Sequence, residues 1–183
     1  MAEVRLNGVS KAFGSTVALE DVTMTVENGA FVVLLGPTGA GKTTTLRLIS
    51  GLETLDKGDI LIGGRSVQGL TPAQRDVAMV FQQYSLYPHM SVRDNLAFPL
   101  RNRGRDETYV AERVQEIAKM IGMEDMLRKK ARGLGADAKQ KISLGRGMVR
   151  KDVNALLFDE PLTVIDPHMK GELRTQLKKL HHD

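Results

Sequence analysis

The stretch that most constrains this chain is Gly36-Pro37-Thr38-Gly39-Ala40-Gly41-Lys42-Thr43. It is a glycine, four residues and then Gly-Lys-Thr, and its meaning depends on what flanks it. Upstream, Phe31-Val32-Val33-Leu34-Leu35 is a short, wholly apolar run that predicts a strand buried on both faces. Downstream, Thr44-Thr45-Leu46-Arg47-Leu48-Ile49 predicts a helix that opens at Lys42. Strand, glycine-rich loop and helix fold successive backbone N–H groups around a phosphate chain, and the helix start adds unpaired donors and a positive dipole end. Lys42 then reaches the β- and γ-phosphates of a nucleotide, and the Thr43 hydroxyl ligates Mg²⁺. The bland alternative, a glycine-rich turn before a core helix, loses ground once strand and helix are counted.

The rest of the chain is consistent with one α/β domain. At 183 residues it can bury one substantial core, with room for a small subdomain. Val4 to Val9 and Val22 to Val26 alternate like strands and are punctuated by Gly8, Gly14 and Asn28-Gly29, which predicts an antiparallel beginning. Asp59 to Ile62 predicts another short strand, and Thr71-Pro72-Ala73-Gln74 a capped short helix. Val77-Ala78-Met79-Val80-Phe81 predicts a second buried strand, placed beside the Phe31–Leu35 strand in a parallel sheet. After Tyr84 the texture turns helical: Ser91 caps Val92 to Leu100, Val110, Val114, Ile117 and Ile121 recur at helical spacing, and Met123 to Lys130 and Ala138 to Val149 read as further helices. Residues from about 84 to about 138 are therefore expected to form a mostly helical insertion between sheet strands. Val153 to Phe158 restores a strand, and Pro167 opens a last amphipathic helix.

Composition narrows the partners. Net charge is +4, with positive residues crowded between Arg128 and Lys151. No aromatic side chains interleave that patch for base stacking, so a solvated face is expected and nucleic acid is not. The chain has no cysteine, which excludes disulfides and thiolate metal sites and suits a reducing compartment. The N-terminus lacks the apolar core of a signal peptide, and Ala30 to Leu35 is far too short to span a bilayer, so membrane association is expected only through a partner protein.

Leu156-Leu157-Phe158-Asp159-Glu160 places two carboxylates at the C-terminal end of the restored strand, the sheet edge where ligands bind in parallel α/β folds. Asp159 is expected to hold Mg²⁺ through its water shell, and Glu160 to orient and polarise the attacking water. Alone, Asp-Glu at a strand end is most often a turn or cap; the phosphate loop reverses that weighting. Gln82 lies just past another buried strand, where its amide could reach both metal and water.

Three motifs now stand in order: Gly36 to Thr43; Met79-Val80-Phe81-Gln82-Gln83-Tyr84-Ser85-Leu86-Tyr87-Pro88-His89; and Leu157-Phe158-Asp159-Glu160-Pro161-Leu162. Together they resemble the ATP-binding subunits of ABC transporters, specifically carbohydrate and polyol importers, over essentially the whole chain. The resemblance implies an α/β P-loop NTPase with an N-terminal antiparallel β subdomain and an inserted helical subdomain. It implies ATP and Mg²⁺ as ligands. Nucleotide contacts fall on Gly36, Pro37, Thr38, Gly39, Ala40, Gly41, Lys42, Thr43 and Thr44, and metal contacts on Thr43, Gln82 and Asp159. Gln82 becomes the Q-loop glutamine, Glu160 the catalytic glutamate, Asp166 part of the D-loop, and Phe13 the aromatic that stacks on adenine, a position usually held by Tyr. Integral membrane permease subunits and a second ATP-binding subunit become the expected partners, at the cytoplasmic face of the inner membrane.

The chain departs from the family at two places. The signature Leu-Ser-Gly-Gly-Gln falls on Leu134-Gly135-Ala136-Asp137-Ala138, in a register set by Gln140-Lys141-Ile142-Ser143-Leu144-Gly145-Arg146. In the family that loop closes over the γ-phosphate held by the opposite subunit. Gly135 brings no hydroxyl, and Asp137 adds a carboxylate near phosphate oxygens, where like charges repel. A similar altered loop and Thr163-Val164-Ile165-Asp166 resemble the paired ATPase subunits of glycerol-type importers, which makes a heterodimer preferred over a homodimer. Secondly, no switch histidine is present: His181 and His182 read as surface residues, and the closing strands and regulatory domain are missing, as in a C-terminally truncated chain, inactive alone. The rival reading is a catalytically degenerate, regulatory nucleotide-binding subunit. A P-loop GTPase is disfavoured, because no Asn/Thr-Lys-x-Asp segment is present to read guanine.

Overall fold

The computed structural model describes residues 1–83 and 85–160. They fall into two compact units, Met1–Met79 with Asp152–Asp159, and Val80–Lys151 with Glu160. The expected last helix, Asp166, His181 and His182 lie outside the described residues, as does Tyr84.

The first unit is built on an antiparallel sheet. β1 (Val4–Phe13) and β2 (Thr16–Val26) form a hairpin, and β3 (Lys57–Ile62) with the short β4 (Arg65–Ser66) extends it in the order β2-β1-β3-β4. Register follows the alternation that the sequence displays. Val4 faces Val26 and Ile62, and Leu6 faces Met24 and Ile60, while Arg5 and Asn7 point to water. Leu6 and Ile60 are buried in one core with Leu48 and Ile49 of α1 (Lys42–Ser50), so the helix that follows the glycine loop is seated on this sheet. The C-terminus of α1 is closed by Gly51 and by the buried Arg75, which donates to Leu48 O at 2.7 Å and Ile49 O at 3.2 Å. A cation there satisfies orphan carbonyls and opposes the negative dipole end. α2 (Pro72–Arg75) starts behind Thr71 with Pro72 in its first turn, as expected, adds a capping box between Thr71 and Gln74, and leads into β5 (Val77–Val80).

Two sheet expectations fail here. β5 pairs with β6 (Ala155–Phe158) in a two-stranded sheet, and not with residues 31–35. Residues 31–35 have no strand assignment, and Val33 and Leu35 are 60% and 90% exposed. An apolar run signals a tendency to be buried. Burial on both faces also needs ladders on both edges, and no described strand supplies one to this segment.

The second unit is helical. α3 (Val92–Arg101), α4 (Glu107–Met120) and α5 (Ala136–Met148) pack through Leu96, Leu100, Val114, Ile117, Ile142 and Leu144, all buried. Ser91 Oγ accepts the Asp94 N–H and Asp106 Oδ1 accepts the Thr108 N–H, so both α3 and α4 begin at side-chain caps. Gly145 lets α5 approach α3: a Cβ there would lie 2.7 Å from Leu96 Cδ2. The buried Arg113 closes the end of α5 through Val149 O and Met148 O. The helix expected over 123–130 is only a 3-10 turn, Glu124–Met126. Backbone groups of residues 127–132 pair instead with the chain before and at the start of α3, as in Val92 N–H to Lys129 O and Arg132 N–H to Pro88 O, both 2.9 Å. Among the described residues no helix is long and apolar enough to cross a membrane.

Candidate nucleotide-binding site

In the first unit the glycine loop and the strand-end carboxylate meet. α1 starts at Lys42 behind an N-cap, Gly41, at φ 82° and with no side-chain hydrogen bond. A side chain at Gly41 would meet the backbone: an added Cβ would lie 2.6 Å from both Ala18 O and Leu19 Cδ2 of β2. The loop is therefore glycine here for two independent reasons, left-handed backbone and contact with the hairpin. The first turn of α1 carries no acidic residue, so its unpaired N–H groups and positive dipole end face no carboxylate of their own turn. Lys42 Nζ folds back to donate to Gly36 O and Pro37 O, both at 2.8 Å, which holds the ammonium over the loop. Pro37, Thr38, Gly39 and Ala40 form the exposed turn between, closed by Ala40 N–H to Pro37 O at 3.2 Å, and Thr44 follows inside the first turn of the helix.

Thr43 Oγ1 donates to Asp159 Oδ1 at 2.9 Å, joining residues 116 apart in sequence. Asp159 is only 6% exposed. A hydroxyl and a carboxylate converging on one point are hard oxygen donors of the kind Mg²⁺ takes, since that ion keeps several waters and needs one or two protein oxygens. Among the described residues, no group of three or more His, Cys, Asp or Glu could hold a metal ion by itself.

Phe13 ends β1, opposite Thr16 across the hairpin, and is 48% exposed. An aromatic ring half open to water at a strand end is available for stacking, not a core residue, as its sequence position alone most often suggests. Lys11 Nζ lies 5.1 Å from the ring centroid.

In the second unit, Gln82 Nε2 donates to Glu160 Oε2 at 3.3 Å. Glu160 sits at φ 45°, one of three non-glycine residues with positive φ among those described. A carboxylate on a strained backbone is held by its surroundings, and such strain clusters at functional positions. The segment after Gln82 is pinned by side chains that carried no sequence signal. Asn95, fully buried, accepts the Tyr87 N–H and donates to Tyr87 O and Ser91 O. Ser143 Oγ accepts the Ser85 N–H at 3.1 Å, and the Arg146 guanidinium lies 4.7 Å from the Tyr87 ring centroid and donates to Ser85 O. Polar residues inside a helical apolar pattern were the one hint available.

The altered signature also lies in this unit. Leu134 precedes α5, Gly135 is its N-cap, and Ala136, Asp137 and Ala138 form its first turn. The helix thus starts two residues earlier than its sequence pattern suggests. Gly135 supplies no cap, and Asp137 Oδ2 accepts from Lys141 Nζ at 2.9 Å, one turn on. The carboxylate expected near phosphate oxygens is an ion-pair partner of Lys141.

A glycine loop before a helix, joined through Thr43 to a buried strand-end aspartate, defines the P-loop nucleoside-triphosphate-binding class. A family model described as ABC transporter matches residues 19–163, and the chain belongs to that family. It is 43% identical over its whole length to the osmoprotective compounds uptake ATP-binding protein GgtA of Synechocystis, covering 50% of that protein. It is 42% identical to the sn-glycerol-3-phosphate import ATP-binding protein UgpC of Paracoccus denitrificans and 45% identical to the trehalose/maltose import ATP-binding protein MalK of Thermococcus litoralis. Those alignments cover 99% and 98% of this chain and 51% and 50% of the relatives. The chain thus spans about half the length of the curated relatives it matches. Among solved structures, the ATP-binding cassette MJ0796, a dimer in a post-hydrolysis state bound to ADP and Pi, superposes with a TM-score of 0.86. That match has 26% identity and covers 97% of this chain and 82% of that one.

Proposed function

We propose that this chain is the ATP-binding and ATP-hydrolysing part of a carbohydrate or polyol ABC importer subunit, peripheral to the cytoplasmic face of the membrane. It works beside permease subunits, with residues from about 84 to about 138 as its helical subdomain. The observation that supports this most is the 2.9 Å contact of Thr43 with Asp159, which brings two separate phosphate- and metal-binding motifs to one point. The similarity to GgtA, UgpC and MalK, all uptake or import ATP-binding proteins, supports the substrate class.

The chemistry follows from the residues. Lys42 exchanges its two loop carbonyls for β- and γ-phosphate oxygens, and the free N–H groups of the loop and α1 hold the same phosphates. Thr43 and Asp159 would hold Mg²⁺, which when bound supplies positive charge to the phosphate oxygens. Glu160 orients a water and draws off its proton as the water oxygen bonds to the γ-phosphorus and the bond to the β–γ bridging oxygen breaks, giving ADP and phosphate. Gln82, hydrogen-bonded to Glu160, sets the direction of that carboxylate. The uncapped Gly135 and the paired Asp137 favour a heterodimer, in which a partner's intact signature loop serves this chain's phosphate edge.

The test is the subunit purified with its permease and partner ATPase subunits. Lys42→Ala is expected to weaken ATP binding by about 1.5–3 kcal/mol, the scale of a hydrogen bond to a charged group. Glu160→Gln is expected to keep ATP binding and remove most hydrolysis. Unchanged affinity in Lys42→Ala overturns the nucleotide site. Unchanged turnover in Glu160→Gln replaces the enzyme with the regulatory reading.

A further inference from the structure

Lys11 has a place in the fold that salt bridging alone does not explain. Its side chain is only 10% exposed, although it ends in an ammonium. Two carboxylates hold it: Glu53 Oε1 at 3.1 Å and Asp56 Oδ1 at 3.4 Å. Both carboxylates are themselves fixed. Asp56 Oδ2 accepts the Ala12 N–H at 2.7 Å and the Asp56 N–H donates to Ser10 O at 2.9 Å, stapling Asp56 to the end of β1. The Glu53 N–H donates to Arg47 O in the last turn of α1 at 3.2 Å, alongside that of Leu52 at 3.0 Å. A continuous path therefore runs from the helix that opens at the glycine loop, through Glu53, to the Lys11 ammonium. That ammonium lies over the Phe13 ring, 5.1 Å from its centroid.

A cation at that distance is attracted to the negative face of the aromatic quadrupole. It covers one face of the ring and leaves the other to solvent, consistent with a residue about half exposed. It also draws π density away from the open face, which lessens repulsion between the ring and the π cloud of a base stacked there. The ring thereby gains an electronic bias and a fixed position relative to α1.

We infer that Lys11 is a positioning residue for base recognition: with Glu53 and Asp56 it backs the Phe13 ring, and a purine stacking on the open face completes a cation–ring–base sandwich. This rests on the reading of Phe13 as the base platform, and the experiment separates the two. Binding of Mg-ATP and of inorganic tripolyphosphate, which has no base, is measured by calorimetry for the parent, Phe13→Ala, Lys11→Met, Lys11→Arg and the double variant Lys11→Met/Phe13→Ala. Lys11→Met keeps the apolar stem and removes the charge. It is expected to weaken ATP about three- to tenfold, the range of a partly desolvated cation–π contact, and to leave tripolyphosphate unchanged. Lys11→Arg should restore most of the loss, and Lys11→Met should add nothing in the Phe13→Ala background. If Phe13→Ala weakens ATP and Lys11→Met does not, the backing role is wrong and the platform stands. If Phe13→Ala leaves ATP unchanged, both fall. Equal loss of ATP and tripolyphosphate in Lys11→Met marks a role in folding only and also overturns the inference. Should Lys11→Met fold poorly, Glu53→Gln loosens the ammonium without removing it. It should show a smaller loss with the same base dependence, and parental behaviour there overturns the proposal.

Discussion

Two helices of this chain begin in the same way and are put to opposite use. α1 and α5 both start at a glycine N-cap that makes no side-chain hydrogen bond. Each therefore leaves N–H donors and a positive dipole end without a cap. At α1 nothing acidic occupies the first turn, Asp159 reaches it from β6 only through the Thr43 hydroxyl, and the Lys42 ammonium is held over the loop by carbonyls it can give up for phosphate. At α5 the chain places its own carboxylate, Asp137, in the first turn and ties it to Lys141. One helix start has no acidic residue in its own first turn and meets a carboxylate only through the Thr43 hydroxyl, and the other carries a carboxylate of its own. The lesson is that a helix N-terminus becomes a phosphate site through what the neighbouring residues leave out as much as through what they supply.

The glycines themselves give the largest test of that contrast. Gly41→Ala forces a side chain into left-handed backbone and within 2.6 Å of Ala18 O, a rigid neighbour, and should cost about 2–4 kcal/mol of stability together with ATP binding. Gly135→Ala meets nothing within 4 Å and sits at φ −67°, so only the difference between glycine and alanine as N-cap remains, below about 1 kcal/mol. Denaturant melts of the two variants should therefore differ by several-fold in ΔΔG. Equal losses would mean that the start of α1 is no more constrained than that of α5.

Much of this was legible beforehand for a physical reason. The glycine loop, Thr43, Asp159 and the α1 start are local patterns whose meaning is fixed by a few adjacent residues, and the antiparallel hairpin is written in the alternation of Val4 to Val9 and its turn. The placement of residues 31–35 was not legible, because their apolar character does not name a pairing partner. Nor was the 3-10 turn at Glu124–Met126, whose flanking backbone groups are taken by a segment more than thirty residues earlier. Lys11, Asn95 and Arg146 were missed in the same way: each acts through residues distant in sequence or out of sight in a residue-by-residue pattern.

Acid should weaken both regions by a common mechanism, and to a lesser degree than Gly41→Ala. Around Phe13, the Lys11 ammonium holds the Glu53 carboxyl below its ordinary value of 4.5, and the Ala12 N–H holds Asp56 below 3.8. In the helical unit the Thr108 N–H lowers Asp106, and Arg101 lowers Glu107. All four are depressed, so their stabilisation is present above the unfolded values and is lost as pH falls through the folded ones. Melts between about pH 6 and pH 3 should show stability flat at the upper end and falling below about 4.5. The same experiment on Lys11→Met should remove part of the fall attributable to Glu53, because its largest cause is gone; an identical acid limb would mean that this pair contributes nothing beside Phe13.

The smallest expected effect bears most directly on the α5 edge. Gly135 has open space around it, so Gly135→Ser can place an Oγ where it accepts the N–H of Asp137 or Ala138, the second and third helical residues. Serine exceeds glycine as an N-cap by only a few tenths of a kcal/mol, so the melt should move up slightly. The informative readout is hydrolysis in the assembled transporter. If Asp137 dominates this helix start, restoring a hydroxyl beside it leaves turnover at the parental level. Adding Asp137→Gly then removes the internal anion and the Lys141 pair together, opens the donors to phosphate, and should raise turnover. A rise from Gly135→Ser alone would make the missing hydroxyl, and not Asp137, the limiting feature of this helix start, and loss of activity in the double variant would show that the carboxylate belongs to a working site.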